Sequence, residues 1–485
     1  MNRELKRVSI VVMLMFVALL TSTTIIQVFQ AESLSADPRN TRTLYDSYMV
    51  QRGAILVAGT PIAQSVPTDD NYKYLRTYSK AALYAPVTGF LPINGAATGL
   101  EKTLNNELSG TSDSQFFDKM NALVTGQVSR GASVEVTIDP VAQQAAWDAL
   151  GNLTGAVIVT EPKTGRILAM VSKPSFDPNL LAVHDNKAVT DSYQSLVSDA
   201  GNPLINRSID ALNPPGSVFK LVVASAAIES GKFTPESAFP NLPTFTLPGS
   251  SSIVINSGGG TCGSGDTVTI ATALRLSCNI PMAELGLQLG STAIRDMAEK
   301  YGFNTSYSVP LDVAQSVYPA VLNDAQTALS AFGQYEVRAT PLQMAMVSAT
   351  IANGGVQMAP NLVEEILAPN LSPLQSFTPK TVKQVISAAT AATMTQMMVN
   401  NVNVADGAAS NARIDGVNVA GKTGTAESGT KDPYTLWFTG FAPAEDPKYA
   451  ITVLVEDGGG LGQKGYGNLL AAPVAKQVLE AVLNK

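Results

Sequence analysis

From Val8 to Ala31 the chain carries no charged side chain. No other feature constrains the fold as tightly. A run of that length crosses a bilayer as one helix, because only a helix satisfies its own backbone N–H and C=O groups in hydrocarbon. Arg3, Lys6 and Arg7 precede it, and the positive-inside rule places that end in the cytoplasm. A cleaved signal peptide is the alternative, since the apolar core Ile10 to Leu20 has a suitable length. No small-x-small cleavage site stands near Gln27 to Ala31, where Phe29 and Gln30 intervene. The expectation is a cytoplasmic tail over 1–7, a retained single-pass anchor over 8–30 and an extracytoplasmic remainder.

That remainder is about 450 residues, more than one typical domain. Net charge is −7 and no basic block follows the anchor, which excludes nucleic acid as an expected partner. The two cysteines, Cys262 and Cys278, would meet an oxidising compartment. A bridge between them is expected, with about 3 kcal/mol of stabilisation in the chain-entropy model. The alternative is two free thiols. One histidine and two cysteines without ligand spacing leave no metal site to expect, and no cofactor motif appears.

Three short motifs follow in order: Ser217-Val218-Phe219-Lys220, Ser277-Cys278-Asn279 and Lys422-Thr423-Gly424-Thr425. Together they supply a serine nucleophile, a lysine base and a cationic strand edge, which is machinery for acyl transfer. Ser217 follows the breakers Pro214-Pro215-Gly216 and opens an apolar run, so a loop should end there as a buried helix begins. Residues three apart share a helix face, so Ser217 and Lys220 can meet. Lysine ordinarily holds its proton to about pH 10.4. Burial and the charge of Lys422 would both lower that value. The Ser217 N–H, at a helix start, would help to hold an oxyanion, a contribution of about 3 kcal/mol.

Decoys exist. Ser428-Gly429-Thr430-Lys431 repeats the first spacing in a polar loop, and Lys163-Thr164-Gly165 repeats the third in a hairpin turn. Taken alone, Ser217 and Lys220 are a capping serine and a snorkelling lysine, and Lys422 an exposed strand lysine. The ordered triple outweighs those readings. A histidine-based hydrolase is disfavoured, because His184 is the one histidine and no Gly-x-Ser-x-Gly accompanies it. His184 reads as a loop residue without a role.

The fold class expected is α+β, an antiparallel sheet packed by helices. A small accessory domain, β-rich, is expected over 31–137, and a larger domain over 138–485. Asp139 and Pro140 start a helix over Val141 to Leu150. A hairpin follows at 155–172, then a polar region, 174–213, too long for an ordinary connection. Helices are expected from Ser217 to about Gly231, over Thr267 to Leu276, Pro341 to Asn353, Thr390 to Met398 and Ala471 to Leu483. Strands are expected near 417–426, 434–441 and 449–456.

On these motifs the chain resembles the class B penicillin-binding proteins, the actinobacterial penicillin-binding protein A type in particular. Thr164-Gly165-Arg166-Ile167-Leu168-Ala169-Met170, Phe332-Gly333-Gln334-Tyr335 and Trp437-Phe438-Thr439-Gly440 carry the likeness too, and Arg52-Gly53-Ala54-Ile55 resembles the start of the class B N-terminal module. Cys278 stands where Asp is common, at a variable position. Leu56-Val57-Ala58-Gly59 replaces the Asp-Arg-Asn-Gly that often follows Ile55. The resemblance implies a D,D-transpeptidase of peptidoglycan stem peptides ending in D-Ala-D-Ala, inhibited by β-lactams, at the membrane beside other cell-wall synthesis and division proteins. Ser217 would be acylated with Lys220 as base. Ser277 and Asn279 would relay the proton and hold the peptide. Lys422 and Thr423 would bind the carboxylate, and the Ser217 and Thr425 N–H groups would form the oxyanion hole, with Gly424 between. About 105 residues between anchor and catalytic domain leave no room for a glycosyltransferase. A carboxypeptidase or β-lactamase-like hydrolase, or a tethered β-lactam sensor or septal scaffold, are the rival readings.

Overall fold

The computed structural model describes residues 2–30, 34, 48–115, 130–307, 309–427, 429 and 431–484. The decoy positions Ser428 and Thr430 lie outside them. The helix Asn2–Thr24 continues through a π-helical turn, Ile25–Phe29. Arg3–Phe29 is long and apolar enough to cross a membrane, with a mean hydropathy of 2.3 over its most apolar window and no part of that window buried.

The sheet that carries the site has five strands in the order Ala420–Ala426, Thr435–Ala442, Tyr449–Val455, Gly155–Thr160, Ile167–Lys173, each pair antiparallel. Both faces are covered. On one lie the helices Lys220–Glu229 and Pro341–Ala352, in a core with Phe219, Met344 and Trp437. On the other lie Pro140–Leu150 and Gly467–Leu483, packed on Val157, Phe438 and Val453. Two-sided burial explains why Thr435–Ala442 is buried at every position and shows no alternation. Asp139 caps its helix, accepting from the N–H groups of Val141 and Ala142. Met394, Met397 and Met398 are core residues of the helix Ala388–Asn403. Helix, hairpin and strand expectations in this half are therefore met in kind.

Three boundaries differ from those expected, while the region 174–213 is more than an ordinary connection, as its length implies: it folds into the helix Asn186–Ser198 with shorter helices at Asn179–Ala182 and Arg207–Asp210. Only Val189 of the long helix is buried, so the sequence offers no apolar stripe to read. Thr267 to Leu276 splits into a strand, Thr267–Thr269, and a helix, Ile270–Arg275, because the Thr269 hydroxyl caps the helix at Thr272 N. The third motif's strand starts at Ala420, with Val417 left in a bridge to Ile414. The last helix starts at Gly467, ahead of Ala471.

His184 also has a role after all. Its Nδ1 lies 2.5 Å from Asp70 Oδ2, and its ring packs against Tyr48 and Tyr72, clasping the N-terminal region to the 174–213 segment. The N-terminal strands Ile55–Val57, Thr60–Pro67, Tyr74–Tyr78 and Ser133–Val136 form a six-stranded sheet completed by Val363–Leu367 and Pro373–Ser376 from far along the chain. Beneath it sits a buried ionic cluster. Arg52 Nε and Arg76 Nε donate to the two Glu101 oxygens at 2.6 Å each.

Candidate active site

Ser217 lies on a 3-10 turn, Gly216–Phe219, and Lys220 begins the helix Lys220–Glu229. The pair therefore straddles the junction of two helix types. The turn is held from three sides. Trp437 Nε1 donates to Pro214 O at 3.0 Å. Gly216 N donates to Gly333 O at 3.0 Å. Gly216 approaches Gly333 so closely that a Cβ on Gly333 would stand 2.1 Å from Gly216 O. The outer strand Ala420–Ala426 closes the third side, where a Cβ on Gly424 would come within 2.9 Å of Pro215 O. Glycine in the third motif is thus a condition for bringing the nucleophile to the strand edge.

Lys220 and Lys422 are both fully buried. Lys220 Nζ donates to Ser277 O at 2.7 Å and to Asn279 Oδ1 at 2.9 Å. Lys422 Nζ donates to Ser277 Oγ at 2.6 Å and to Thr423 O at 2.9 Å. Ser277 thus joins the two lysines, one through its carbonyl and one through its hydroxyl. It does so with φ of +61°, in the left-handed region. A non-glycine residue there costs about 1–3 kcal/mol and persists only when its surroundings fix it. Here they do, for Cys278 N donates to Ala273 O, and Cys278 is disulfide-bonded to Cys262.

Burial pushes the Lys220 ammonium well below the ordinary lysine range, and the nearby Lys422 charge lowers it further. Burial brings Lys422 down to about 7. Both effects favour the neutral amine at Lys220. A neutral amine has two hydrogens and one lone pair. Ser277 O and Asn279 Oδ1 take the hydrogens, and the lone pair remains for a third group. Ser217, three residues earlier across the junction of the turn and the helix, is the candidate for that group. Its half-buried hydroxyl makes no hydrogen bond to Lys220 in this state, among the described residues. Thr423 Oγ1 donates to Ala408 O at 2.9 Å, and Thr425 Oγ1 accepts from Gly467 N at 3.2 Å, which leaves the Thr425 hydroxyl its own proton.

All three motifs converge. The sequence model described as the penicillin binding protein transpeptidase domain matches residues 155–480. The chain belongs to the penicillin-binding protein transpeptidase family. A second model, the penicillin binding protein A dimerisation domain, matches residues 52–134. The chain is 42% identical to the peptidoglycan D,D-transpeptidase PbpA of Mycolicibacterium smegmatis, over 100% of both chains. It is 40% identical to the protein of the same name from Mycobacterium tuberculosis, over 100% of this chain and 99% of that one. Its fold superposes on the ceftriaxone acyl-enzyme complex of penicillin-binding protein A from M. tuberculosis with a TM-score of 0.87, at 38% identity, covering 90% of this chain and all of that one.

In this penicillin-binding protein several residues that shape the site are silent in the motifs. Trp437 and Gly333 lie in stretches that the family likeness marks, so a signal for them exists. Asn256 and Asn241 carry none. Asn256 Oδ1 accepts from Asn279 N and Ile280 N at 3.0 Å each. Asn241 Oδ1 accepts from Cys262 N at 2.6 Å. Single asparagines beside a Gly-rich stretch, as Asn256, or between prolines, as Asn241, look like turn residues, and only the fold reveals what they hold.

Proposed function

We propose that this chain is a monofunctional serine D,D-transpeptidase that cross-links peptidoglycan stem peptides through an acyl-enzyme on Ser217. The observation that carries the reading is the double use of Ser277 by two buried lysines, one of which, Lys220, stands three residues from Ser217 with its ordinary proton affinity lowered. The Ser217 hydroxyl proton passes to Lys220 Nζ as Oγ bonds to the carbonyl carbon of the penultimate D-Ala. The Ser217 and Thr425 N–H groups receive the oxyanion. Ser277 accepts from Lys422, so its own proton is directed to the departing D-Ala nitrogen, and Lys422 replaces that proton while Lys220 keeps the one taken from Ser217. The C–N bond breaks, D-Ala leaves, and a stem-peptide amine reverses the steps on the ester. Lys422 and Thr423 hold the terminal carboxylate, with Thr423 releasing Ala408 O to do so. Asn279 steadies the donor backbone.

The same proposal covers placement. Arg3, Lys6 and Arg7 hold the tail 1–7 in the cytoplasm, 8–30 spans the membrane, 31–137 forms a pedestal and 138–485 is catalytic outside. β-Lactams acylate Ser217 as substrate mimics, and other cell-wall synthesis and division proteins are its neighbours. The test is intact mass with penicillin, followed by assay of cross-linked dimers. One adduct on the Ser217 peptide, lost in Ser217→Ala, is expected. An adduct that survives in Ser217→Ala overturns the assignment. Acylation with free D-Ala but no dimers would make the chain a hydrolase.

A further inference from the structure

Two of the contacts that fix Asn279 come from outside the three motifs. Asn279 Nδ2 donates to Ile255 O at 3.0 Å, and Asn279 N donates to Asn256 Oδ1 at 3.0 Å. Ile255 ends the small hairpin formed by Thr244–Thr246 and Ile253–Ile255. Asn256 follows it and is 3% exposed. Its Oδ1 also accepts from Ile280 N, at the start of the helix Ile280–Leu289. Its Nδ2 donates to Gly260 O at 3.0 Å and to Leu242 O at 3.4 Å. One amide therefore ties the hairpin, the glycine loop and the second motif together.

A carboxamide can face either way, and the two faces are opposite in hydrogen bonding. Ile255 O accepts only, so it draws Asn279 Nδ2 and turns Asn279 Oδ1 toward Lys220. In the reverse orientation the Asn279 amide N–H would face Lys220, and a neutral Lys220 would turn its lone pair to accept from it, away from Ser217. We propose that Asn256 is a positioning residue for the reaction: by holding the Asn279 backbone beside Ile255 O it selects the amide face that engages Lys220 and so aims the Lys220 lone pair at Ser217. This rests on Lys220 being the base. Cys278, on the other side of Asn279, is braced independently by its bond to Cys262.

The experiment compares Asn256→Ala, Asn256→Asp and Asn304→Ala in the full chain. Asn304 is a control, because its amide braces Tyr318 N and Tyr318 O at 3.0 Å in a similar manner. The readouts are the second-order rate of penicillin acylation against pH, the melting temperature and the Cys262–Cys278 bond by non-reducing peptide mapping. Asn256→Ala should acylate about 10²-fold more slowly, the scale of a misplaced reacting group, with the disulfide intact. Asn304→Ala should lose stability without that rate loss. Asn256→Asp keeps the acceptor and brings a negative charge toward Lys220, so it should recover rate over Asn256→Ala while its rising pH limb moves to higher pH. Equal rates in Asn256→Ala and Asn304→Ala would overturn the proposal, as would an Asn256→Asp limb that coincides with the parent's. If Asn256→Ala does not fold, the Asn256→Asp limb decides alone. Normal acylation by Lys220→Ala in the same assay would instead show that the base assignment is wrong, and the proposal with it.

Discussion

In the N-terminal region Arg52 and Arg76 are buried against one carboxylate, Glu101, while in the cleft Lys220 and Lys422 are buried against none among the described residues. The first cluster is closed. Burial pushes the Glu101 carboxyl up, but Arg76 and Arg52 outweigh it and hold the group below the ordinary range. Arg52 also donates to Glu101 O and Asn105 Oδ1, and Arg76 to Gly53 O, while Arg76 Nη2 has no partner among the described residues. The second cluster is open. Its cations face neutral oxygens and each other, and both lose proton affinity. Counter-charge turns a buried cation into structure, and its absence makes a buried cation a chemical group poised near neutral pH.

The sharpest break in that contrast is Lys220→Ala. If the open cluster is chemical, penicillin acylation should fall by about 10²–10⁴-fold, the usual range for a general base. Thermal stability should hold or rise, because a desolvated amine is removed. A variant that acylates at the parental rate would place the base elsewhere. Next comes Glu101→Ala. Removing one partner from a buried ion cluster typically costs about 3–5 kcal/mol. Denaturant unfolding should register that loss, while the acylation rate per folded molecule stays unchanged. A stability change below 1 kcal/mol, or a matched loss of acylation rate, would end the distinction between the two clusters.

The two clusters also differ in how far the sequence discloses them. Ser217, Lys220, Ser277, Asn279 and Lys422 are readable because each belongs to a spacing with chemical meaning, in a context that separates it from Ser428 or Lys163. Their bonding is not readable. The base finds its partners 57 and 59 positions away, at Ser277 and Asn279. Ser277 can serve both lysines only in a backbone state that no propensity assigns to serine. Glu101 shows nothing locally, since it sits in a five-residue helix and meets Arg52 and Arg76 across long intervals. Sheet membership is hidden in the same way. Val363–Leu367 joins Ser133–Val136 from more than two hundred residues on, a pairing that strand periodicity cannot foresee. The helix Asn186–Ser198 is missed for the opposite reason, having almost no buried face to set a period.

Reduction of the Cys262–Cys278 bond tests a smaller effect, on the order of 3 kcal/mol for a loop of that size. The bond lies beside the open cluster, so acylation should fall along with stability. In Glu101→Ala only stability should. Mild reduction followed by paired melting and acylation measurements would show whether the two losses travel together. Unchanged acylation in the reduced protein would mean that Ser277 keeps its conformation without the bridge.

The subtlest separation comes from changing the second lysine without removing its charge. Acylation needs Lys220 neutral and, for the carboxylate and Ser277, Lys422 charged. The rate should rise with pH as Lys220 loses its proton, then fall above about 7 as Lys422 loses its own. Arginine stays charged throughout. Lys422→Arg should therefore keep the rising limb, lose the fall and acylate a few-fold below the parent, because a planar fork fits the lysine position imperfectly. Lys422→Met should lose much more rate. Its rising limb should shift up only in part, since the Lys422 charge is the lesser cause of the Lys220 shift and burial, the larger, remains. Stability should move the other way. The folded value near 7 lies below the unfolded lysine value of about 10.4, so the unfolded chain binds more protons between them and stability rises with pH across that window. Below about 7 the full penalty of the buried charge is present. Lys422→Met should accordingly be more stable than the parent at pH 6, with the gain shrinking toward pH 10. Melting curves at both pH values decide it. A Lys422→Met protein less stable than the parent at pH 6 would mean that Lys422 is held as structure, as Glu101 is, and the contrast between the two clusters would collapse.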